Sequence, residues 1–214
     1  MEAVNTAGDM YRNIPPVTRV YSTIATVTTV ACNVGIIAPY SLHFSSTAIL
    51  SGQLWRFLTC FLYFGKFGLE PLIQMYFLVR YCGTLEKEEF GGRQADFIWV
   101  LLVAGTLLLS LSFVTEYAFA STLPWLGSAV VSMTVYIWSY RNPKARLNWF
   151  GFNFWAPYFP WVLLGFGLLM GNSILDELFG IAVGHICFFL EFVLPRMKGV
   201  AYLRAPKFVK QLIN

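Results

Sequence analysis

The sequence has few charged residues. Only 12% of its 214 residues are Asp, Glu, Lys or Arg, whereas about 25% is usual in a soluble domain. The 29 residues between Arg146 and Asp176 carry no charge, and three further uncharged runs precede them. Because an uncharged apolar stretch of about 18 residues or more is typical of a transmembrane helix, the composition excludes an ordinary soluble domain and predicts a polytopic membrane protein.

Cysteine, histidine and repeated segments are also scarce. With four dispersed cysteines, two histidines and no Cys-x-x-Cys pair, we predict neither a metal site, nor a redox site, nor a cofactor. No segment recurs with a period of about 20–50 residues, which argues against a transporter built from repeats. Membrane topology explains the net charge of +4, so we predict no nucleic-acid partner.

The apolar segments predict an all-α fold with six transmembrane helices. These cover approximately residues 20–39, 67–84, 97–115, 118–140, 155–171 and 178–194. We expect Pro124 in the first turns of the fourth helix. The helices form one membrane domain, residues 1–196, which is followed by a short basic tail, residues 197–214. No basic segment with a cleavage site precedes the first helix, so we expect it to insert uncleaved.

The distribution of Lys and Arg predicts the orientation. With six helices and a cytosolic N-terminus, 13 of the 15 basic residues lie on the cytosolic side, and only Arg56 and Lys66 lie on the other. Short cytosolic loops are normally the ones enriched in Lys and Arg. We therefore predict that both termini are cytosolic and that the basic tail rests on anionic lipid headgroups.

Polar residues within membrane helices are costly and mark functional sites by default. Glu70 and Gln74 are four residues apart, so we predict that they share one face of the second helix. Asn172 and Ser173, with two acidic residues just after them, cap the turn into the sixth helix. These four side chains are candidate site residues inside the membrane.

The sixth helix contains a second candidate. Gly180 and Gly184 form a small-xxx-small face that lets a neighbouring helix approach closely, and ordinary helix packing is the plain interpretation. His185 follows this face directly. A histidine next to a helix that carries serine could act as the base of an intramembrane serine protease, or it could simply pack or form hydrogen bonds within the bundle.

Short blocks distributed in order along the whole chain indicate a family. They are IPPVTR (14–19), QLWR (53–56), RYC (80–82), LE (85–86), ADF (95–97), VYIWS (135–139), PWVLLGF (160–166), GNSI (171–174), GIAVGH (180–185) and FFLE (188–191). With these blocks the sequence resembles the Derlins, the rhomboid-like proteins of endoplasmic-reticulum quality control. The resemblance implies a six-helix rhomboid-like bundle in the reticulum membrane.

The resemblance also implies that the protein is not an enzyme. Active rhomboids carry Gly-x-Ser-Gly at the start of the fourth helix, where this chain has Gly127, Ser128 and Ala129 followed by valine. Ala129 stands at the nucleophile position, and Ser128 is rotated from it by about 100°. The rhomboid oxyanion residues correspond to Glu70 and Gln74, and a carboxylate there would repel an oxyanion. His185 matches the base, but we predict a pseudoprotease without a catalytic residue.

Two predicted helices are short. The second has 13 residues between Lys66 and Arg80, and the sixth has 13 uncharged residues before Glu191. Such a segment covers about 20 Å against about 30 Å of hydrocarbon, so we expect it to thin the bilayer locally. With the resemblance, this predicts retrotranslocation of misfolded proteins through a thinned bilayer and a lateral gate, for ubiquitin–proteasome degradation. Two alternatives remain. One is a receptor or adaptor for unfolded transmembrane segments, which would bind in the Gly180/Gly184 and Glu70/Gln74 groove. The other is an intramembrane serine protease, which would need Ser128 or Ser132 to reach His185.

The loop after the first helix carries a further family signature, Trp55 and Arg56. We expect Trp55 to anchor at headgroup depth and Arg56 to reach lipid phosphate. The expected partners are misfolded reticulum proteins, a membrane ubiquitin-ligase complex, membrane lipids and a homo- or hetero-oligomer. The tail lacks the Gly-and-Arg motif that docks the AAA+ extraction ATPase in animal members, so we expect the ligase complex to supply that ATPase indirectly.

Overall fold

The structure, a computed structural model, describes residues 7–119, 122–149, 151–169, 173–199 and 203–213. These residues are mostly helical, as predicted. The α-helices are α1 (Ala7–Arg12), α2 (Pro16–Asn33), α3 (Ser46–Leu50), α4 (Arg56–Thr59), α5 (Leu69–Phe77), α6 (Gln94–Phe119), α7 (Gly127–Arg141), α8 (Phe159–Leu169), α9 (Ile174–Phe188), α10 (Leu194–Lys198) and α11 (Lys207–Ile213). Short 3₁₀ turns cover Pro39–Ser41 and Ala156–Tyr158.

Two of the helices continue through π-helical segments. After α5 the helix runs on through Leu78–Cys82 and Leu85–Glu89, and Phe189–Val193 joins α9 to α10. The second and sixth helices are therefore longer than predicted, ending at Glu89 and Lys198 instead of near residues 84 and 194. The sixth also begins earlier, at Ile174. Its span of 25 residues is about 37 Å long, so the prediction that this helix is too short to span the bilayer is wrong.

Among the described residues, two helices are long and apolar enough to cross a membrane. They are Gln94–Phe119, with 26 residues, and Ile174–Lys198, with 25. In the most apolar stretch of each, only 28% of the residues are buried inside the protein. A core helix of a soluble protein would be mostly buried, so these apolar surfaces indicate contact with lipid.

Several predicted boundaries are wrong for local reasons. The first helix begins at Pro16, because proline suits the first helical position, and ends at Asn33, shortly before Gly35 adopts a φ of +85°. The third helix continues to Phe119. Pro124 lies before the fourth helix, because proline disfavours helical backbone in the preceding residue and its carbonyl accepts a hydrogen bond from the Phe44 N–H at 2.9 Å.

The described residues also contain a β-hairpin, so the all-α prediction is wrong in this detail. Strand β1 (Arg146–Trp149) pairs antiparallel with β2 (Phe152–Trp155), and the Asn148 side chain donates to Asn153 Oδ1 at 2.8 Å. Gly151 in the turn has a φ of +85°. Trp155 therefore belongs to a strand, and the fifth helix begins at Phe159 instead of near residue 155.

Helix α7 lies at the centre of the bundle. It packs against α8, α9 and the π-helical continuation of α5, and most of its residues are buried. Gly180 and Gly184 of α9 face it. A Cβ at Gly180 would clash with the Ala129 carbonyl, and one at Gly184 would come within 3.0 Å of Tyr136 Cβ. Glycine at both positions therefore allows the two backbones to approach closely.

The tail is attached to the membrane domain. Helix α11 packs against α6, and the Ala205 N–H donates to Asp96 Oδ1 at 2.9 Å. Lys210 Nζ lies 3.7 Å from the same oxygen, and Leu203 and Val209 are buried. Binding of the tail to lipid headgroups stays a prediction for the exposed side chains of α11.

Candidate functional site

A partly open cavity of about 120 Å³ lies where α5, α7 and α9 begin. It is lined in part by residues 63–65, which precede α5, and by Trp125, which precedes α7. A second cavity of about 40 Å³ continues along α5 and α7 towards Ser132. The polar side chains that line the first cavity are Glu70, Gln74, Ser128, Ser173, Asp176 and Glu177.

The sequence dictates this convergence of polar side chains. Glu70 lies in the first turn of α5, Ser128 in the first turn of α7, and Asp176 and Glu177 in the first turn of α9. Acidic and hydroxyl side chains favour helix N-termini, since the N–H groups there have no intrahelical partner. Because the three helices start at the same end of the bundle, their first turns together line one polar cavity.

Glu70 and Gln74 share one face, as their spacing predicts. The Gln74 amide donates to Glu70 Oε1 at 3.1 Å. In the rhomboid comparison these positions would hold donors for an oxyanion, but here one of the donors is engaged with a carboxylate. The pair presents acceptors to the cavity, which suits a hydrogen-bond donor or a cation better than an anion.

Glu177 is the most buried acidic residue in the cavity. Only 8% of it is exposed, and its Oε2, like Asp176 Oδ1, has no hydrogen-bond partner among the described residues. Its other oxygen lies against Gly167 of α8, where an added Cβ would clash with it. Sequence reasoning noticed these two acids at the turn but did not include them among the site residues. The available signal was that both stand alone at the end of a 29-residue uncharged run.

Residues 127–129, the predicted remnant of a protease site, lie in different surroundings. Ser128 lines the cavity, whereas Ala129, at the nucleophile position, is 0% exposed and packs against Gly180. Gly127 lies under the Phe64 ring, whose nearest atom would be 3.0 Å from an added Cβ. Ala129, predicted at the nucleophile position, therefore lies in the contact between α7 and α9, and the neighbouring hydroxyl of Ser128 lines the cavity.

His185 does not line the cavity. Its ring is exposed, and Nδ1 lies 2.8 Å from the Tyr136 hydroxyl. Tyr136 follows Ser128 by two helical turns, about 12 Å along the axis of α7. The structure therefore pairs the imidazole with a tyrosine and does not bring it to the serine. Proton transfer between Ser128 and His185 would need a hydrogen-bonding distance.

The loop signature has a structural role that sequence reasoning missed. Arg56 is only 8% exposed, and its Nη1 donates to the carbonyls of Tyr40 at 2.9 Å and His43 at 2.8 Å. Its Nε donates to Gln53 Oε1 at 2.7 Å. The prediction that Arg56 reaches lipid phosphate is therefore wrong, because the buried guanidinium donates its hydrogen bonds to the loop itself. Trp55 is 54% exposed, which leaves its interfacial role as a prediction.

Of the two polar residues predicted at the turn into α9, Ser173 is exposed and lines the cavity. Asn172 lies outside the described residues. The metal prediction concerned an absence. In the part of the chain that the structure describes, no group of three or more His, Cys, Asp or Glu side chains could hold a metal ion, and the lack of a metal site stays a prediction.

Comparison with known proteins gives the family. A family model described as the Der1-like family matches residues 14–207. The chain is 43% identical to Derlin-2.1 of Zea mays over 95% of its own length and 85% of that protein. It is 42% identical to Derlin-2 of Oryza sativa subsp. japonica over the same shares, and 33% identical to the probable derlin-2 homolog of Dictyostelium discoideum over 96% and 82%.

The helical bundle, with two helices that are long and apolar enough to cross a membrane, defines a helical membrane protein. The protein belongs to the Der1-like family, as the sequence blocks predicted. The family membership and the apolar surfaces of α6 and the Ile174–Lys198 helix together indicate a membrane protein.

Proposed function

We propose that this protein is a non-catalytic factor of the endoplasmic-reticulum membrane that helps to move misfolded proteins to the cytosol for ubiquitin–proteasome degradation. One observation supports it above the others: the hydroxyl in the cavity, Ser128, lies two turns of α7 before Tyr136, whose hydroxyl contacts the His185 imidazole. Hydrolysis needs a nucleophile activated by a nearby base. A polar, partly open membrane cavity without that pair suits binding and passage of polypeptide.

The proposed arrangement is a six-helix bundle with both termini in the cytosol. The six helices are α2, α5 with its π-helical continuation, α6, α7, α8 and the Ile174–Lys198 helix. In this orientation the cavity opens on the lumenal side, where misfolded polypeptide would enter. Arg93, Arg141 and the tail then face the cytosol, in agreement with the distribution of basic residues.

A lateral gate is proposed next to α5. This helix packs on α7, while its contacts with α9 are sparse. Its outer face is apolar, since Leu69, Leu72 and Tyr76 are each more than half exposed. Movement of α5 away from the bundle would open the cavity to lipid without breaking the close contact between α7 and α9.

Bilayer thinning then depends on the fifth helix. As far as the structure describes it, α8 with the 3₁₀ turn before it runs from Ala156 to Leu169, which is 14 residues or about 21 Å, against about 30 Å of hydrocarbon. A span of that length thins the bilayer around it, which lowers the cost of moving polar polypeptide across. Measurement of lipid thickness around the reconstituted chain tests this step, and unperturbed thickness would contradict it.

The function itself is tested by depletion and pulse-chase. Loss of the protein should lengthen the half-life of a misfolded reticulum glycoprotein, and the wild-type chain should restore it. The variant Ser128→Ala should restore it equally, because no nucleophile is needed. A half-life that does not change on depletion would reject the proposal, and loss of function in Ser128→Ala with labelling by a fluorophosphonate would favour a protease.

A receptor or adaptor within a membrane ubiquitin-ligase complex is the second candidate. The cavity favours it, because its polar side chains converge where α5, α7 and α9 begin. Photo-crosslinkers placed along the bundle separate the two functions. A conduit should crosslink a client at both ends and at the midplane, whereas a receptor should crosslink it only around the cavity. Recruitment of the ligase and, through it, of the AAA+ ATPase belongs to both proposals.

A further inference from the structure

Acidic side chains dominate the polar lining of the cavity. Glu70, Asp176 and Glu177 line it, and none of the described lining residues is Lys, Arg or His. We propose that the cavity binds a basic side chain, Lys or Arg, carried by a membrane-inserted segment of a client protein. This inference rests on the proposed function and names the class of client that it would select.

Glu177 provides the strongest evidence that a ligand is needed. Its side chain is more than nine-tenths buried and lines both cavities, yet Oε2 has no hydrogen-bond partner in the described part of the chain. A buried carboxylate oxygen without a partner is costly. A protonated amine or guanidinium from a client would supply the missing charge and donors together.

Helix N-termini do not argue against a cation. An empty helix N-terminus would suit an anion, but Asp176 and Glu177 already stand in the first turn of α9 and provide the acidic groups that such a position favours. The oxygens of these two acids that have no partner among the described residues accept hydrogen bonds, so the matching ligand is a donor.

The size and the lining of the cavity fit an organic cation. A volume of about 120 Å³ holds several water molecules, which is enough for an ammonium or guanidinium group with the end of its alkyl stem. Tyr63 and Trp125 line the cavity with ring centroids 4.5 Å apart, and aromatic faces attract cations of this kind.

A physical reason connects this ligand to misfolded clients. A basic residue in a membrane segment is expensive in hydrocarbon, so in an assembled protein it is paired with an acidic partner. When that partner is missing, the basic group stays exposed to lipid. The cavity offers such an orphaned group the acidic partner that it lacks.

Binding of defined peptides tests the inference. The full chain is reconstituted in phosphatidylcholine nanodiscs and titrated with fluorescent leucine–alanine transmembrane peptides of about 22 residues. One peptide carries a single Lys near the end that inserts beside the cavity, and the matched peptide carries Leu there. We expect the Lys peptide to bind at least about tenfold more tightly, and we expect the double variant Asp176→Asn/Glu177→Gln to remove this difference.

Matched variants distinguish binding in the cavity from general effects of a substitution. Glu88→Gln removes an exposed carboxylate far from the cavity and should leave the preference for Lys unchanged. Gly167→Ala should reduce it, because the new Cβ would displace Glu177. Gly165→Ala on the same helix meets nothing within 4 Å and should have no effect. Equal binding of both peptides to the wild-type chain would overturn the inference, and so would tighter binding of free spermidine than of the Lys peptide.

Failure of this inference is distinguishable from failure of the proposed function. If depletion slows degradation of clients but the Lys and Leu peptides bind equally, the function stands and the ligand assignment is wrong. If the Lys preference is measured but depletion leaves every client half-life unchanged, the ligand assignment stands and the proposed function is wrong.

Discussion

At the end of the bundle where α2 and α6 begin, the acidic side chains have partners. Glu86 accepts hydrogen bonds from the Val17 and Thr18 N–H groups at 2.9 and 2.7 Å and from Thr18 Oγ1 at 2.8 Å. Asp96 accepts from the Ala205 N–H, and Glu89 forms an ion pair with Arg141 at 2.6 Å. Even Glu191, whose Oε2 is unpartnered among the described residues, has Oε1 3.7 Å from Arg93.

At the opposite end, where α5, α7 and α9 begin, Asp176 and Glu177 each keep a buried oxygen without a hydrogen bond in the described part of the chain. The two ends therefore differ in how fully their buried carboxylates are hydrogen-bonded or ion-paired. Paired carboxylates at the first end connect α2, the end of the α5 helix and the tail, and so stabilise the bundle. The second end gives up such stabilisation, which is typical of a binding site.

The largest expected effect comes from removing a paired carboxylate. Glu86→Ala leaves the first N–H groups of α2 without an acceptor, so we expect the free energy of unfolding to fall by about 3 kcal/mol. Unfolding in detergent can be followed with a thiol-reactive fluorophore, because all four cysteines are buried. Glu88→Ala, at an exposed neighbour, should change stability by less than about 0.5 kcal/mol. Equal effects of the two variants would contradict the structural role of Glu86.

This contact also shows how much the sequence could predict. The blocks 14–19 and 85–86 were recognised as family features, and the general position of the helices followed from the uncharged runs. That Glu86 caps α2 could not be foreseen, because the two segments are 68 residues apart at the Thr18–Glu86 bond and one sequence carries no information on such pairing. The π-helical segments and the attachment of the tail to Asp96 depend on the same kind of long-range contact.

Only part of the site could be predicted, because long-range contacts decide the rest. Helical spacing was enough to place Glu70 and Gln74 on one face. It was not enough to direct Arg56 inward, since the carbonyls that bind it belong to a loop 13–16 residues earlier. Likewise, the spacing around Gly184 placed His185 near a neighbouring helix, but only the packed bundle shows that its partner is Tyr136.

The contact between α7 and α9 joins the two ends, and its disruption should have the next largest effect. Gly180→Ala would place a Cβ against the Ala129 carbonyl, so we expect a loss of about 1–3 kcal/mol from overpacking. Gly165→Ala meets no atom within 4 Å and should be neutral or slightly stabilising, since alanine favours helix. Thermal unfolding of both variants measures the difference. A neutral Gly180→Ala would mean that the helices are not packed this closely.

At the cavity end, Arg56 is buried and hydrogen-bonded to loop carbonyls, so its removal should be destabilising in a local way. Arg56→Ala deprives the Tyr40 and His43 carbonyls of their donor, and we expect a cost of about 2 kcal/mol. Amide hydrogen exchange should accelerate between residues 39 and 59 while α7 stays protected. Arg56→Lys should restore little, because one ammonium does not reproduce the guanidinium fork. Full rescue by lysine would indicate that charge alone matters.

The smallest expected effect is an increase in stability, and it tests most directly the difference between the two ends of the bundle. Glu177→Gln removes a buried carboxylate whose Oε2 has no partner among the described residues. Because an unsatisfied buried charge is destabilising, we expect the free energy of unfolding to rise by about 1 kcal/mol in the absence of a client. The same thiol-labelling assay, with Glu86→Gln as the paired counterpart, gives the sign for each end. If both substitutions destabilise the bundle, then Glu177 is a structural residue with a partner of its own, and the cavity end is built in the same way as the other.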